Sequence, residues 1–160
     1  MSMLQRNEGM STKPDVFIQL HDADFYTWAM ETAQAIRERR FAGIEWDAVA
    51  EELEDMGRSE QKELRNRFSV LLAHLLKWRH QPQLTPNRSW ALTIKEQRYQ
   101  LRLLLKHSPG LKRMLDETFK EAYEIARIQA ARESGLEEDL FPETCLWTVE
   151  QVMDDGFWPK

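Results

Sequence analysis

Leu64, Phe68, Leu71, Leu72, Leu75 and Trp78 follow one another at intervals of four, three, one, three and three residues. Apolar side chains recur this way when the chain winds at about 3.6 residues per turn with one face withdrawn from water. A strand would place every second residue on that face, and no stretch of this sequence sustains such alternation. The stripe therefore predicts a long core helix reaching Gln81, and with it an all-α chain. Ser69, His74 and Lys77 interrupt the apolar run 68–78, which is about half of the ~20 residues needed to cross a bilayer. No membrane span is expected.

Capping signals divide the rest of the chain. Asp22 and Asp24 precede Phe25, Trp28, Ala29, Thr32 and Ile36, with Arg37, Arg39 and Arg40 beyond. Acids first and bases last suit the helix macrodipole, so a first helix is predicted from Asp22 or Asp24 to Arg40. Val49, Leu53 and Met56 predict a short helix over 47–55 with Gly57 as its stop, and Ser59 then reads as the N-cap of the long helix. Pro82 and Pro86 bracket a loop. Asn87 or Ser89 opens a helix to His107, and Ser108-Pro109 opens another that ends at Ser134 before Gly135. Thr148 and Gln151 match a capping box, predicting a short helix over 148–154. The expected architecture is all-α: a single-domain helical bundle of about five main helices plus a short C-terminal helix. A partly ordered arm is expected over 1–20 and one helical domain over 21–160.

Composition removes several classes of function. With 42% hydrophobic and 31% charged residues in 160, the chain can bury a core without staples and is not a disordered segment. Its single cysteine, Cys145, excludes an intramolecular disulfide, and no zinc-type Cys/His spacing occurs. A reducing cytoplasm is the default compartment, and the polar stretch 1–13 lacks the apolar centre of a signal peptide. Nucleophile elbow, phosphate loop, dinucleotide fingerprint and His-Glu-x-x-His are all missing, so no cofactor or metal is expected and an enzyme is the less favoured reading.

Charge is unevenly laid out. Residues 1–57 carry 5 Lys/Arg against 12 Asp/Glu, residues 58–106 carry 11 against 3, and residues 107–160 carry 6 against 12. The net values are −7, +8 and −6 within an overall −5. Within the basic block, Arg58, Arg65, Lys77, Arg79, Arg88, Lys95 and Arg98 are candidate binding residues, with Trp78 and Trp90 interleaved. Two uses compete: interhelical pairing with the acidic helices, each surface pair contributing about 0–1 kcal/mol, or a face for an acidic partner. The helix after Pro86 adds a second signal. Trp90, Ile94, Leu101 and Leu105 fall on one side and Leu92, Tyr99 and Leu103 on nearly the other, as in a helix central to its bundle or buried against another subunit.

Titratable candidates are few. His74 lies in the most apolar helix, where a histidine is more often packed with one hydrogen bond than catalytic. A pocket would need acids nearby, and Glu51, Glu52 and Glu54 are the candidates. His21, His80 and His107 lie near element ends, where solvated or capping roles are expected. Cys145 has no basic neighbour in sequence to activate its thiol, so packing is the expected role.

Several runs together resemble a known family. They are Asp24-Phe25-Tyr26-Thr27-Trp28, the stretch Ala50 to Glu60, Leu71 to Trp78, Arg88-Ser89-Trp90, Phe141 to Cys145, and Trp147-Thr148. In this order they resemble the bacterial family called Domain of Unknown Function 29, over about residues 15–159. The resemblance implies a small helical bacterial protein and carries over no catalytic or binding residue.

Three functional expectations follow. The first is a non-enzymatic interaction module that meets an acidic protein, or a second copy of itself, through residues 58–106. The second is nucleic-acid binding through Arg79, Arg88, Lys95 and Arg98 with Trp78 or Trp90 stacking, weakened by the acidic ends. The third is a metal-dependent or acid–base enzyme centred on His74 and Glu51, Glu52 and Glu54.

Overall fold

The computed structural model describes residues 21–160, so the expected N-terminal arm lies outside the described residues. Residues 21–23 are helical, and five α-helices lie wholly within the described residues: α1 (Phe25–Arg37), α2 (Trp46–His80), α3 (Arg88–His107), α4 (Leu115–Ser134) and α5 (Val149–Met153). No strand occurs among the described residues. By contact density the chain divides into two compact units, Met1–Asp55 and Met56–Lys160.

In the first unit α1 starts where its sequence signal placed it. The Asp24 carboxylate accepts from the Thr27 backbone N–H at 3.0 Å and from its hydroxyl at 2.6 Å. The helix ends at Arg37, three residues short of Arg40, because Arg39 turns into the left-handed region with φ 56°. Trp28, Thr32, Ala35 and Ile44 are buried. His21 packs edge-on against Trp28 at 4.5 Å and donates from Nε2 to Glu52 at 2.7 Å.

The two helices expected on either side of Gly57 are one, α2, running 35 residues without a break. A glycine stop requires a left-handed backbone, and among the described glycines only Gly43 and Gly135 have positive φ. Good helix formers on both sides of Gly57 carry the helix through it.

The second unit is built on the predicted stripe. Leu64, Phe68, Leu71, Leu72 and Leu75 are fully buried, each contributing about 1.5–3 kcal/mol by leaving water. Ile94 and Leu101 of α3, Phe119, Ala122, Ala126 and Ala130 of α4, and Phe141, Trp147 and Val152 complete the core. Phe68 meets Phe119 edge-to-face at 5.3 Å. Trp78, the last residue of the stripe, is only partly buried and lies against Trp158 at 4.6 Å.

The turns follow the sequence with one exception. Asn87 caps α3 through Trp90, Gly135 ends α4 with φ 74°, and Thr148 and Gln151 form the capping box of α5. A 3-10 turn (Pro82–Leu84) and a cis Thr85–Pro86 bond occupy the proline loop. Ser108 does not cap an α-helix: its hydroxyl donates to Glu60 at 2.8 Å, and Pro109–Met114 is a 3-10 turn ahead of α4.

Candidate functional site

The basic block separates into cations used by the fold and cations left on its surface. Arg65 pairs with Glu121 of α4 at 3.2 Å, and Arg67 pairs with Glu63 at 2.8 Å. Lys77 is buried, donates to Glu133 of α4 at 2.5 Å, and lies over the Trp90 ring. Arg102 holds the Asp155 carboxylate through both terminal nitrogens at 3.1 and 3.2 Å. Within the second unit, Arg65, Lys77 and Arg102 thus pair the basic segment with the acidic C-terminal third.

Arg98 departs most from expectation. It is 1% exposed. Nε donates to the Val152 carbonyl at 2.7 Å, Nη2 to that of Phe157 at 2.8 Å, and Nη1 to that of Asp155 at 3.4 Å. The guanidinium also sits 5.5 Å from the centre of the Trp158 ring. It ties down the C-terminal segment and is not available to a nucleic acid. Trp78 and Trp90 are likewise engaged by Trp158 and Lys77. Arg79 is half-buried and Arg58 exposed.

Three of the outward cations share one face of α3. At about 100° per residue, Arg88, Leu92, Lys95, Tyr99, Leu103 and Lys106 fall within an arc of about 80°. All six are exposed; Leu92, Tyr99 and Leu103 reach 57%, 56% and 43%. Ile94 and Leu101, on the opposite side, are fully buried. The two apolar stripes of this helix thus differ in fate: one enters the core and the other meets solvent between three cations. A shallow depression of about 390 Å³ lies along it among Leu92, Lys95, Glu96, Tyr99, Arg102 and Asp155.

A deeper cleft, of about 650 Å³, opens between α4 and residues 143–150. Its walls include the buried rings of Phe119, Tyr123 and Trp147 and the half-buried Val149. Asp116, Glu124, Glu143 and Glu150 stand around it, with Lys120 as the one cation among its lining residues. All five are exposed. Tyr123 fixes the geometry by donating its hydroxyl to the Pro142 carbonyl at 2.6 Å, and burial pushes its pKa up to about 12. Cys145 is half-buried in the cleft, where burial raises its thiol pKa against a hydrogen bond to the Trp147 backbone. It is a poor nucleophile there. Local sequence patterns do not reveal this cleft, because its two walls are separate segments, 116–124 and 143–150, and the capping box and runs on the second carry no sign of a partner wall.

The suggested acid–base residues have separate surroundings. Glu52 accepts from His21, and Glu51 and Glu54 are exposed on the first-unit portion of α2. His74, in the second unit, donates from Nδ1 to the Val70 carbonyl at 2.8 Å. Burial lowers its pKa, outweighing that hydrogen bond and leaving the ring neutral at pH 7. Among the described residues no group of three or more His, Cys, Asp or Glu side chains is arranged to hold a metal ion. His80, expected near solvent, packs edge-on against Phe141 at 4.9 Å. No described helix is long and apolar enough to cross a membrane.

These features define an all-helical protein with an outward basic–apolar helix face and an acidic cleft. The chain belongs to the DUF29 family, described as a domain of unknown function, whose family model matches residues 20–158. No curated protein and no solved structure gives a significant match.

Proposed function

We propose that this chain is a non-enzymatic interaction module of the bacterial cytoplasm, docking through the outer face of α3 onto an acidic, amphipathic partner. The observation that carries the reading is the exposed stripe of Leu92, Tyr99 and Leu103 set among Arg88, Lys95 and Lys106. Apolar side chains at helical spacing give a partner helix a surface to bury, and the flanking cations select an acidic one. The compartment rests on the lone Cys145. The basic region proposed for binding shrinks to this face, since Arg65, Lys77 and Arg98 are committed within the fold.

Titrating a fluorescent helical peptide of alternating Leu and Glu faces tests the reading. Binding is expected to weaken about tenfold or more when Leu92→Asp and Lys95→Glu are introduced together, since both the buried apolar contact and the opposite charge are lost. No binding at low salt, or binding indifferent to these substitutions, overturns it. If a single-stranded oligonucleotide binds more tightly than the peptide, with affinity falling steeply with salt, the nucleic-acid reading replaces it.

A further inference from the structure

The cleft between α4 and residues 143–150 has no part in that reading, yet its chemistry mirrors that of the α3 face. Four carboxylates and one ammonium surround it, a net of −3, above an apolar floor that includes Phe119 and Trp147. The α3 strip carries Arg88, Lys95 and Lys106 around Leu92, Tyr99 and Leu103, and Arg102, Glu96 and Asp155 stand beside it, a net of +2. We propose that the cleft of one copy receives the α3 strip of a second copy, so that the acidic partner is this chain itself. The proposal rests on the reading of α3 as the docking face and deepens it by naming the occupant.

Two observations favour a second copy. In both surfaces charged side chains flank apolar ones, as polar and apolar groups adjoin in a protein interface. The net charges are opposite in sign, which disfavours strip against strip or cleft against cleft. The overall charge of −5 opposes approach of two copies. At physiological salt that repulsion is screened beyond about 8 Å, so the local match decides. Strip and cleft are different surfaces, so the contact is head-to-tail and continues through further copies unless the geometry closes a ring.

Sedimentation of the full chain over a wide concentration range, with two variants, tests this. A strip variant combines Leu92→Asp with Lys95→Glu, and a cleft variant combines Glu124→Lys with Glu143→Lys. All four side chains are exposed, and circular dichroism melts check that the fold is kept. The native chain should gain mass with concentration. Each variant alone should associate about tenfold or more weakly. Their equimolar mixture should form a one-to-one complex, because one variant supplies an intact cleft and the other an intact strip. A mixture as weak as its components overturns the proposal. If the cleft variant associates like the native chain and the strip variant does not, the cleft is wrong and the α3 reading stands. If the native chain stays monomeric yet binds the acidic peptide through Lys95, the second copy is wrong and the α3 reading again stands. If it does neither, both fall.

Discussion

The ammonium of Lys77, 5% exposed, lies 2.5 Å from a carboxylate oxygen of Glu133, fifty-six residues further along the chain. The pair fastens α2 to α4, and the Trp90 ring covers the cation. Burial alone would raise the pKa of Glu133. Hydrogen bonds from Lys77 and Gln129, with the charge of Lys77, outweigh burial and hold the carboxyl below its usual range. Removing the carboxylate leaves a buried ammonium without a counter-charge. Glu133→Gln is expected to cost on the order of 1–3 kcal/mol, less than for a fully buried pair because Glu133 itself is partly solvated. A carboxyl with a lowered folded pKa contributes stability fully present above its unfolded value of 4.5 and lost as pH falls through the folded one. Denaturation midpoints measured from pH 7 downward should therefore show the native chain converging on the Gln variant in acid; a gap unchanged by pH would disprove the linkage.

Arg98→Met should be among the most damaging substitutions in the second unit. It withdraws the donors that satisfy the carbonyls of Val152, Asp155 and Phe157. Hydrogen bonds to a charged group contribute about 1.5–3 kcal/mol each, so a loss of about 3–5 kcal/mol is expected. Limited proteolysis should show new cleavage after Met153, and Trp158 emission should shift toward that of a solvated indole. Resistance to protease equal to that of the native chain would argue against the tie.

Gly57→Ala should stabilise. Glycine within a helix costs about 0.5–1 kcal/mol relative to alanine, and a Cβ added at Gly57 meets no atom within 4 Å. Urea midpoints should rise with an unchanged slope. A fall would mean that the glycine has a role the helix does not reveal.

His21 offers a pH-dependent readout in the first unit. Its hydrogen bond to Glu52, then that to Asp22, raises its pKa above the usual 6.5. A raised folded pKa means stability fully present below the unfolded value and lost as pH rises through the folded one. The imidazole proton resonance followed by NMR should titrate later than a free histidine, and Glu52→Gln should bring it back toward 6.5. An unmoved midpoint in that variant would refute the pairing.

The helical fold was largely legible because its causes are local. Asp24, Asn87, Gly135 and the Thr148–Gln151 box act within one helical turn, and each did what its side chain or backbone dictates. Gly57 misled because composition alone does not tell a helical glycine from a left-handed one. Arg98 misled for another reason. It lies among the cations of α3, and only the arrival of residues 152–157 makes its surroundings dry. Burial decided by a segment more than fifty residues away has no local signature. The α3 strip was visible as a second apolar stripe, but only the structure shows that it stays uncovered.

The bond from Arg98 to Phe157 spans 59 residues, and that span has a meaning in time. During synthesis at about 5–20 residues per second, roughly 3–12 s separate the making of Arg98 from that of the carbonyl it needs. Throughout that interval α3 can exist as a helix, but its guanidinium must stay hydrated, and the core beneath Val152 must stay open. The second unit thus cannot close progressively behind the growing chain. Its final packing waits on residues 152–157, and until they are made the nascent chain stays exposed to chaperones and proteases.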